Sequence, residues 1–202
     1  MSGGFESLWD WRRRVNDLYA AVRAEADPEA GWRSWRAGRD ALYRGHEQTP
    51  LESVDGFGGL PFYPYDPALR FLVGLLPWSG ETLQLPAGVD GEVRLEPFAR
   101  TVGLAGALGG ELVAYWLGGY CGGVFLPFSD ATSGRGTYGG GRYLLDTIKS
   151  ADLGQAPDGR TVLDFNFAYN PSCAYSARYV CPLSPRENRL GVALRAGEMA
   201  VP

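Results

Sequence analysis

From residue 69 onward, the chain is a series of short apolar stretches, each bounded by glycine, proline or aspartate. No strong helical periodicity separates them, so parallel strands joined by helices are not predicted. Glycine makes up 29 of 202 residues, about double its usual share, and this excess favours turns and bulges. We predict an antiparallel sheet closed into a barrel or sandwich. The six predicted strands are 69–75, 93–98, 111–117, 123–128, 161–167 and 190–196.

The first 45 residues have a different periodicity. Within 4–25, apolar residues recur at three- and four-residue spacing, which predicts an amphipathic helix. A second helix is predicted over 28–44, because Asp27 can cap it, Pro28 suits its first position and Gly45 can end it. The predicted fold class is therefore α+β, mainly β. We expect one domain over 1–202, divided into a helical segment 1–45, a proline- and aromatic-rich loop 46–68 and a β body 69–202.

The charge distribution argues against several kinds of partner. The net charge of -4 at pH 7 opposes nucleic-acid binding, which relies on neutralising phosphates. The arginine run at 12–14 lies in a balanced region, since residues 1–50 contain eight Arg and eight Asp or Glu. No apolar stretch approaches the roughly 18 residues of a membrane span, and the first residues lack a signal-peptide core. We expect a cytoplasmic protein that binds a small molecule, and homo-oligomerisation is left open.

Polar residues are concentrated between residues 130 and 190, at a density that a folding core does not need. In the predicted strand 161–167, Asp164 and Asn166 share one face, with Cα atoms about 6.6 Å apart. That face is either solvent-exposed or part of a polar cavity. The bend at Asn170-Pro171 follows directly, and with it a polar cavity and a solvent-exposed edge strand are equally favoured.

Cys173 and Cys181 are separated by seven residues, and several interpretations are open. A structural zinc site prefers shorter spacings and four ligands, and the single histidine, His46, is far away in sequence. A disulfide is compatible with the spacing but is disfavoured in a reducing cytoplasm. A catalytic thiolate would need a neighbouring cation or base. Buried, inert thiols are the remaining alternative.

Two further segments carry candidate ligand-binding groups. Residues 134–139 match G-x-G-x-x-G literally, but nine glycines between 118 and 141 make a chance match expected, and the strand and helix of a dinucleotide site are not predicted there. The glycines instead suggest a turn, or a backbone loop that approaches a ligand beside Arg142. Further on, Pro182 and Pro185 stiffen the segment that presents Glu187, and Glu187 with Asp164 would form an acid/base pair if they met in space.

The motifs in this region resemble those of the domain-of-unknown-function family 1684. The similar stretches are Thr-Tyr-Gly-Gly-Gly-Arg-Tyr at 137–143, Asp-Phe-Asn at 164–166, Ala-Tyr-Asn-Pro at 168–171, Cys-Ala-Tyr at 173–175, and the segment from Cys181-Pro182 to Glu187-Asn188-Arg189-Leu190. The aromatic and proline residues at 62–66 resemble an upstream segment of the same family. The resemblance covers most of the chain but implies no particular activity, and it does not include His46.

The leading hypothesis is an enzyme that acts on a small polar or anionic metabolite at the mouth of the barrel, and its cofactor is unknown. The candidate catalytic residues are Arg142 as anion binder, Asp164 and Glu187 for proton transfer, and Cys173 as nucleophile. The candidate substrate-binding residues are Tyr138, Gly140, Asn166, Tyr169, Asn170, Asn188 and Arg189. The alternatives are a binding or accessory protein without catalysis, and a metal enzyme with Cys173 and Cys181 as ligands.

Overall fold

Two helices begin the chain, as predicted. The computed structural model describes residues 3–86, 91–119 and 122–201. Helix α1 spans Gly3–Ala24 and helix α2 spans Pro28–Gly45. The Asp27 side chain accepts a hydrogen bond from the Glu29 N–H at 3.0 Å, which caps α2 and satisfies one of its free backbone donors. Neither helix is long and apolar enough to cross a membrane.

The β body is a seven-stranded antiparallel sheet. Its strands are β1 (Arg70–Pro77), β2 (Leu83–Pro86), β3 (Glu92–Val102), β4 (Val113–Leu117), β5 (Gly123–Phe128), β6 (Arg142–Asp146) and β7 (Thr161–Asp164). The order across the sheet is β6-β5-β4-β3-β1-β7, and β2 pairs with β3 beside this path. A one-turn helix, α3 (Ala105–Leu108), follows β3.

The two outer strands of this sheet approach each other through one residue pair. Beyond the end of β7, Tyr169 pairs with Tyr143 of β6 through backbone hydrogen bonds of 2.9 and 3.2 Å. This pairing brings the sheet close to a barrel, because the far edge of β6 no longer faces solvent along its whole length. The predicted fold class, α+β with a mainly β antiparallel body behind two helices, is confirmed.

Three features of the predicted strand pattern were wrong. Residues 190–196 form no strand, although Leu190, Leu194 and Ala196 are core residues. Strands β2 and β6 were not predicted. The strand predicted at 161–167 ends at Asp164, and a 3-10 turn follows, because the Asp164 side chain accepts the Asn166 N–H at 2.9 Å and caps that turn.

The sheet is covered on both faces at β5, β6 and β7, whereas alternate residues of β3 are exposed. One core cluster fills the β body and includes Leu104, Leu126, Phe128 and Phe165. A second cluster joins the helices to the outside of the sheet, and its members include Trp32, Trp35, Tyr115, Phe125 and Tyr143. The apolar stripes of α1 and α2 are thereby covered, which is what their periodicity requires. A cavity lies at the boundary between the helices and the sheet.

Candidate functional site

Arg142, the expected anion binder, lies inside the protein with 1% of its surface exposed. Its guanidinium pairs with Asp130 at 2.8 Å. It also donates to the carbonyl oxygens of Leu194, Ala196 and Glu198 in the C-terminal segment. Burial lowers the pKa of Arg142, while Asp130 opposes that effect. The arginine is thus committed to holding the last residues of the chain against β6.

Asp164 and Asn166 form a second internal network. The Asn166 side chain accepts from the Asp66 N–H at 2.9 Å and donates to the Asp66 carbonyl at 2.8 Å. Asp164 accepts from Asn166 at 2.8 Å and from the Tyr65 hydroxyl at 3.3 Å. Burial, the largest cause, raises the pKa of Asp164, and the hydrogen bonds from Asn166 oppose it. Both residues are buried, and together they fasten the 62–67 segment to the end of β7.

The Glu187-Asn188-Arg189 segment is divided between interior and surface. Asn188 is fully buried, and its amide bonds the N–H and C=O of Val113 at 2.7 and 2.8 Å and the Pro127 carbonyl at 2.7 Å. Glu187 is exposed and accepts from the Tyr115 hydroxyl at 2.7 Å. Arg189 is exposed. Asn188 therefore ties two strands together, and the partner of Glu187 is a tyrosine instead of Asp164.

The cysteines lie beside Tyr138. Both thiols are free and half-buried, and the Cys173 N–H donates to Cys181 Sγ at 3.3 Å. The Tyr138 hydroxyl is 3.5 Å from Cys173 Sγ. A Cβ at Gly140 would lie 2.6 Å from the Tyr138 ring, so glycine is needed there for packing. Across the described ranges, no three His, Cys, Asp or Glu residues are grouped to hold a metal ion.

The expected activators of a thiolate are His46, Arg142, Arg178 and Arg189, and within the described residues none of them hydrogen-bonds to either sulfur. His46 accepts from the Gln48 N–H at 3.0 Å and lies 3.3 Å from Asp10, on the helical side of the molecule. Arg178 donates to the Thr49 carbonyl at 2.7 Å and to the Tyr179 hydroxyl at 2.9 Å. His46 and Arg178 are therefore engaged elsewhere. Burial raises the pKa of Cys181, and the charge of Lys149 is among the effects that oppose it.

A cavity of about 240 Å³ lies between the helices and the β body, and we call it the helix–sheet cavity. Two of the expected substrate-binding residues, Tyr169 and Asn170, line it. Its helical wall includes Arg12, Tyr19, Arg39 and Tyr43, and its other walls include Gln48, Lys149, Ser172 and Tyr179. Three cations line it, and no Asp or Glu is among the described residues in its walls. The cavity therefore presents a positive and aromatic interior.

Arg39 is central to this cavity and is 9% exposed. Its Nη2 donates to the Tyr43 hydroxyl and to Glu198 Oε2, both at 3.2 Å. The guanidinium lies 4.9 to 5.1 Å from the centroids of the Trp35, Tyr43 and Tyr169 rings. Burial works against the charge of Arg39, but the neighbouring Tyr43 and Glu198 outweigh it and raise its pKa. The arginine is held rigidly in its charged form.

Glu198 is buried and supports two residues of the cavity wall, Arg39 and Asn170. Glu198 accepts from Arg39, from the Tyr175 hydroxyl and from the Asn170 N–H, the last at 3.0 Å. Burial, its largest cause, raises the pKa of Glu198, and Arg39 opposes it. The Asn170 Nδ2 donates to the Met199 carbonyl at 2.8 Å. Asn170 Oδ1 and Arg39 Nε, in contrast, are buried without a hydrogen-bond partner among the described residues.

Lys149 forms the rim opposite α1. Its ammonium lies 2.9 Å from Asp146, which also accepts from the Tyr169 hydroxyl at 3.3 Å. Partial desolvation disfavours the charge of Lys149, but Asp146 outweighs it and the pKa of Lys149 is raised. The side chain remains 57% exposed, so its charge can still act on a ligand that enters the cavity.

The sequence singled out Tyr169 and Asn170 but missed Arg39, Lys149 and Glu198. Arg39 did carry a signal, because it is four residues from both Trp35 and Tyr43 and hence on the apolar face of α2. A lone basic residue on such a face must find a partner or a ligand. No comparable pattern marked Glu198, whose partners come from distant segments.

A second, more open cavity of about 560 Å³ lies between β2 and residues 180–187. Cys181 and Glu187 line it, together with the apolar side chains of Leu83, Leu85 and Leu183. The five expected residues Arg142, Asp164, Cys173, Cys181 and Glu187 are thus not gathered around one concavity. Arg142 and Asp164 are buried in separate networks, and the acid/base pair is not assembled.

A helical pair packed on an almost closed antiparallel sheet, with a cation-lined cavity between them, defines the structural class of this protein. Residues 55–199 match the family described as protein of unknown function, DUF1684, and the chain belongs to that family. It is also similar to an uncharacterised protein of Haloarcula marismortui with a solution NMR structure. The two are 30% identical, with a TM-score of 0.55, over 85% of this chain and 93% of that chain. The comparison with curated proteins found no match.

The family match begins after α2, so the cavity is built from two parts of the chain. Tyr169, Asn170 and Lys149 lie within the matched residues. Arg12, Tyr19 and Arg39 lie before them, on the two helices. The helical wall is therefore the part of the cavity that the family motifs do not describe.

Proposed function

We propose that the protein binds a small organic anion in the helix–sheet cavity. The observation that carries this proposal is the pair of buried, unpartnered polar atoms in cavity-lining residues, Asn170 Oδ1 and Arg39 Nε. Buried polar groups in folded proteins are almost always hydrogen-bonded, and leaving one unpaired costs about 1–3 kcal/mol. Both residues line the cavity, so a side-chain rearrangement that brought these atoms to its surface would let a ligand accept from Arg39, donate to Asn170 and recover that free energy.

The charges and size of the cavity define the class of ligand. Arg12, Arg39 and Lys149 line it, and no carboxylate among the described residues does, so a negative group is favoured. The rings of Tyr19 and Tyr43 suit an apolar or aromatic body. At about 240 Å³, the volume lies just below the roughly 300–1,000 Å³ of drug-sized ligand sites. A small carboxylic acid that also carries a hydroxyl or amine donor fits these features best.

The lining of the helix–sheet cavity favours binding without catalysis over an enzymatic role. We also propose a cytoplasmic location. The groups expected to transfer protons, Asp164 and Glu187, line no wall of the helix–sheet cavity. Within the cavity, the tyrosines Tyr43 and Tyr169 have pKa values raised by burial, which makes them poor general bases at neutral pH. The lining groups can hold and orient an anion, and these features support a binding or accessory protein.

The test is a thermal-shift screen against small organic acids and their neutral amides, followed by calorimetry on each hit. Two arginines on α1 give a matched pair of variants. Arg12 lines the cavity, whereas the neighbouring Arg13 pairs with Asp10 at 2.7 Å outside it, and both are exposed. We expect Arg12→Gln to weaken binding of the acid by about threefold to tenfold, as for loss of one partly screened charge. Arg13→Gln should leave the affinity unchanged.

Two results would contradict the proposal. One is a screen in which the amides stabilise the protein as well as the acids do. The other is an equal loss of affinity in both variants, since that would reflect the net charge of the helix instead of the cavity. Turnover of a bound acid would overturn the non-catalytic part of the proposal alone.

A further inference from the structure

Cys173 and Cys181 lie at the two ends of a short loop, and these two ends are in contact in the folded chain. The Cys173 N–H donates to Cys181 Sγ at 3.3 Å. Because an N–Cα bond is about 1.46 Å, Cys181 Sγ lies within about 4.8 Å of the Cys173 Cα. A disulfide requires that the two side chains approach closely with their backbones near each other. Little backbone movement would be needed to bridge them.

The loop between the cysteines is fastened to the body at several points. The Tyr175 hydroxyl donates to Glu198, and its ring packs edge-on against Tyr43 with centroids 5.3 Å apart. Arg178 donates to the Thr49 carbonyl at 2.7 Å. These anchors hold the two half-buried thiols beside each other in the folded chain, so their encounter costs little conformational entropy.

We propose that Cys173 and Cys181 are a peroxide-reactive thiol pair that forms an intramolecular disulfide. In the first step, the Cys173 thiolate attacks one oxygen of hydrogen peroxide. The O–O bond breaks, the leaving hydroxide is protonated to water, and Cys173 becomes a sulfenic acid. In the second step, Cys181 gives up its proton and its sulfur attacks Cys173. The S–S bond forms, the S–O bond breaks and a second water leaves. Two thiols are oxidised by two electrons, and one peroxide is reduced to two waters.

The surroundings of the two sulfurs indicate which thiol attacks the peroxide and which one resolves the sulfenic acid. The Tyr138 hydroxyl lies 3.5 Å from Cys173 Sγ, where it can donate to a thiolate. Burial is the largest cause that raises the pKa of Cys181 to about 11, although the Cys173 N–H opposes it. Cys181 is therefore the poorer first nucleophile and acts as the resolving thiol. This proposal is independent of ligand binding in the helix–sheet cavity.

Peptide mapping of the folded full-length protein tests the proposal directly. After treatment with hydrogen peroxide and blocking of the remaining thiols, we expect a 173–181 cross-link that dithiothreitol reverses. The chain has three cysteines, so one thiol should remain free in the oxidised protein. The matched control is Cys121→Ser, which removes the third cysteine and should form the same cross-link. Cys181→Ser should form none and should accumulate sulfenic acid on Cys173, detectable with dimedone.

The contrary results are equally definite. A protein that loses no thiols, or one whose oxidised cysteines are sulfinic and sulfonic acids without a 173–181 bond, would overturn the pairing. A cross-link whose formation requires Cys121 would do the same. The wild-type mapping decides the question even if a variant fails to fold, because it needs no substitution.

Discussion

The β body and the helix–sheet cavity each contain buried polar residues, but these are differently satisfied. Asn188 and Asn170 make this contrast within one residue type, with 0% and 1% of their surfaces exposed. Every polar atom of the Asn188 side chain is bonded to backbone of β4 or β5. Asn170 keeps an unpartnered Oδ1 in the wall of a cavity. The first amide links two strands, and the second keeps one hydrogen-bond acceptor unused.

The same contrast separates the two buried arginines. Arg142 donates to Asp130 and to three carbonyls, which leaves little for a substrate. Arg39 bonds Tyr43 and Glu198 through Nη2, and its Nε has no partner among the described residues. A dense run of polar residues in a sequence is therefore poor evidence for a site. An unsatisfied buried atom is a more specific indicator, since folding alone does not explain it. Trp35 Nε1 and Arg36 Nε are also unpartnered within the described part of the chain, however, and neither residue lines the cavity.

The largest expected effect is loss of the Arg142–Asp130 ion pair. Arg142→Met should lower the free energy of unfolding by about 3–5 kcal/mol, because it leaves a buried carboxylate and several carbonyls without their donor. Urea denaturation followed by circular dichroism measures the change. For a protein of ordinary stability, about 5–15 kcal/mol, such a loss approaches unfolding at 37 °C.

Arg160→Met is the matched control for that variant. Arg160 also pairs with an aspartate, Asp158, at 2.7 Å, but both side chains are about half exposed. Because exposed ion pairs contribute little, we expect no measurable change in stability. Equal destabilisation by the two substitutions would mean that burial does not account for the contribution of the Arg142 network to the free energy of unfolding.

The two asparagines provide the next test. Asn188→Ala should cost about 3 kcal/mol, because it leaves one N–H and two carbonyls of neighbouring strands unpaired in the interior. Asn170→Ala should cost only about 1 kcal/mol, since the unpartnered Oδ1 is lost without penalty and the bond to Met199 is the main loss. Chemical denaturation of both variants checks the difference. A larger cost at Asn170 than at Asn188 would reverse the comparison on which the cavity proposal rests.

Most of the fold was predictable because it depends on local patterns. The periodicities of α1 and α2, the Asp27-Pro28 start and the strands at β1, β3, β4 and β5 all have signals within about ten residues. The strand predicted at 190–196 failed for a physical reason. Its leucines are buried as a strand's would be, but the neighbouring backbone carbonyls bond to the Arg142 side chain instead of a ladder. Periodicity reports burial and does not report the hydrogen-bond partner.

The candidate site was less predictable, because it depends on contacts between distant segments. The sequence pointed to Tyr169 and Asn170 but also to Arg142, Asp164 and Asn188, which stabilise the fold. Arg39 and Glu198 are 159 residues apart, and their contact depends on how the helices dock on the β body. Burial and partner satisfaction decide which polar residue is structural, and neither can be read from residue type and spacing.

The smallest expected effect concerns the protonation of Asp164, the residue expected to transfer protons. Asp164 Oδ2 also lies 3.9 Å from Arg70 Nε. Asp164→Asn should cost about 1 kcal/mol at pH 7, because the amide keeps the bonds from Asn166 and weakens the contacts with Tyr65 and Arg70. Burial raises the pKa of Asp164 above its usual 3.8 in the folded state. Because the folded state binds the proton more readily than the unfolded state, the wild type gains stability as the pH falls through the folded pKa toward 3.8. The variant gains none, since asparagine does not titrate. The stability difference between wild type and variant should therefore widen from pH 7 to pH 4 in parallel urea titrations. All other groups titrate in both proteins, so their effects cancel in this difference. A constant or shrinking difference would show that Asp164 is not desolvated in its network with Asn166 and Tyr65.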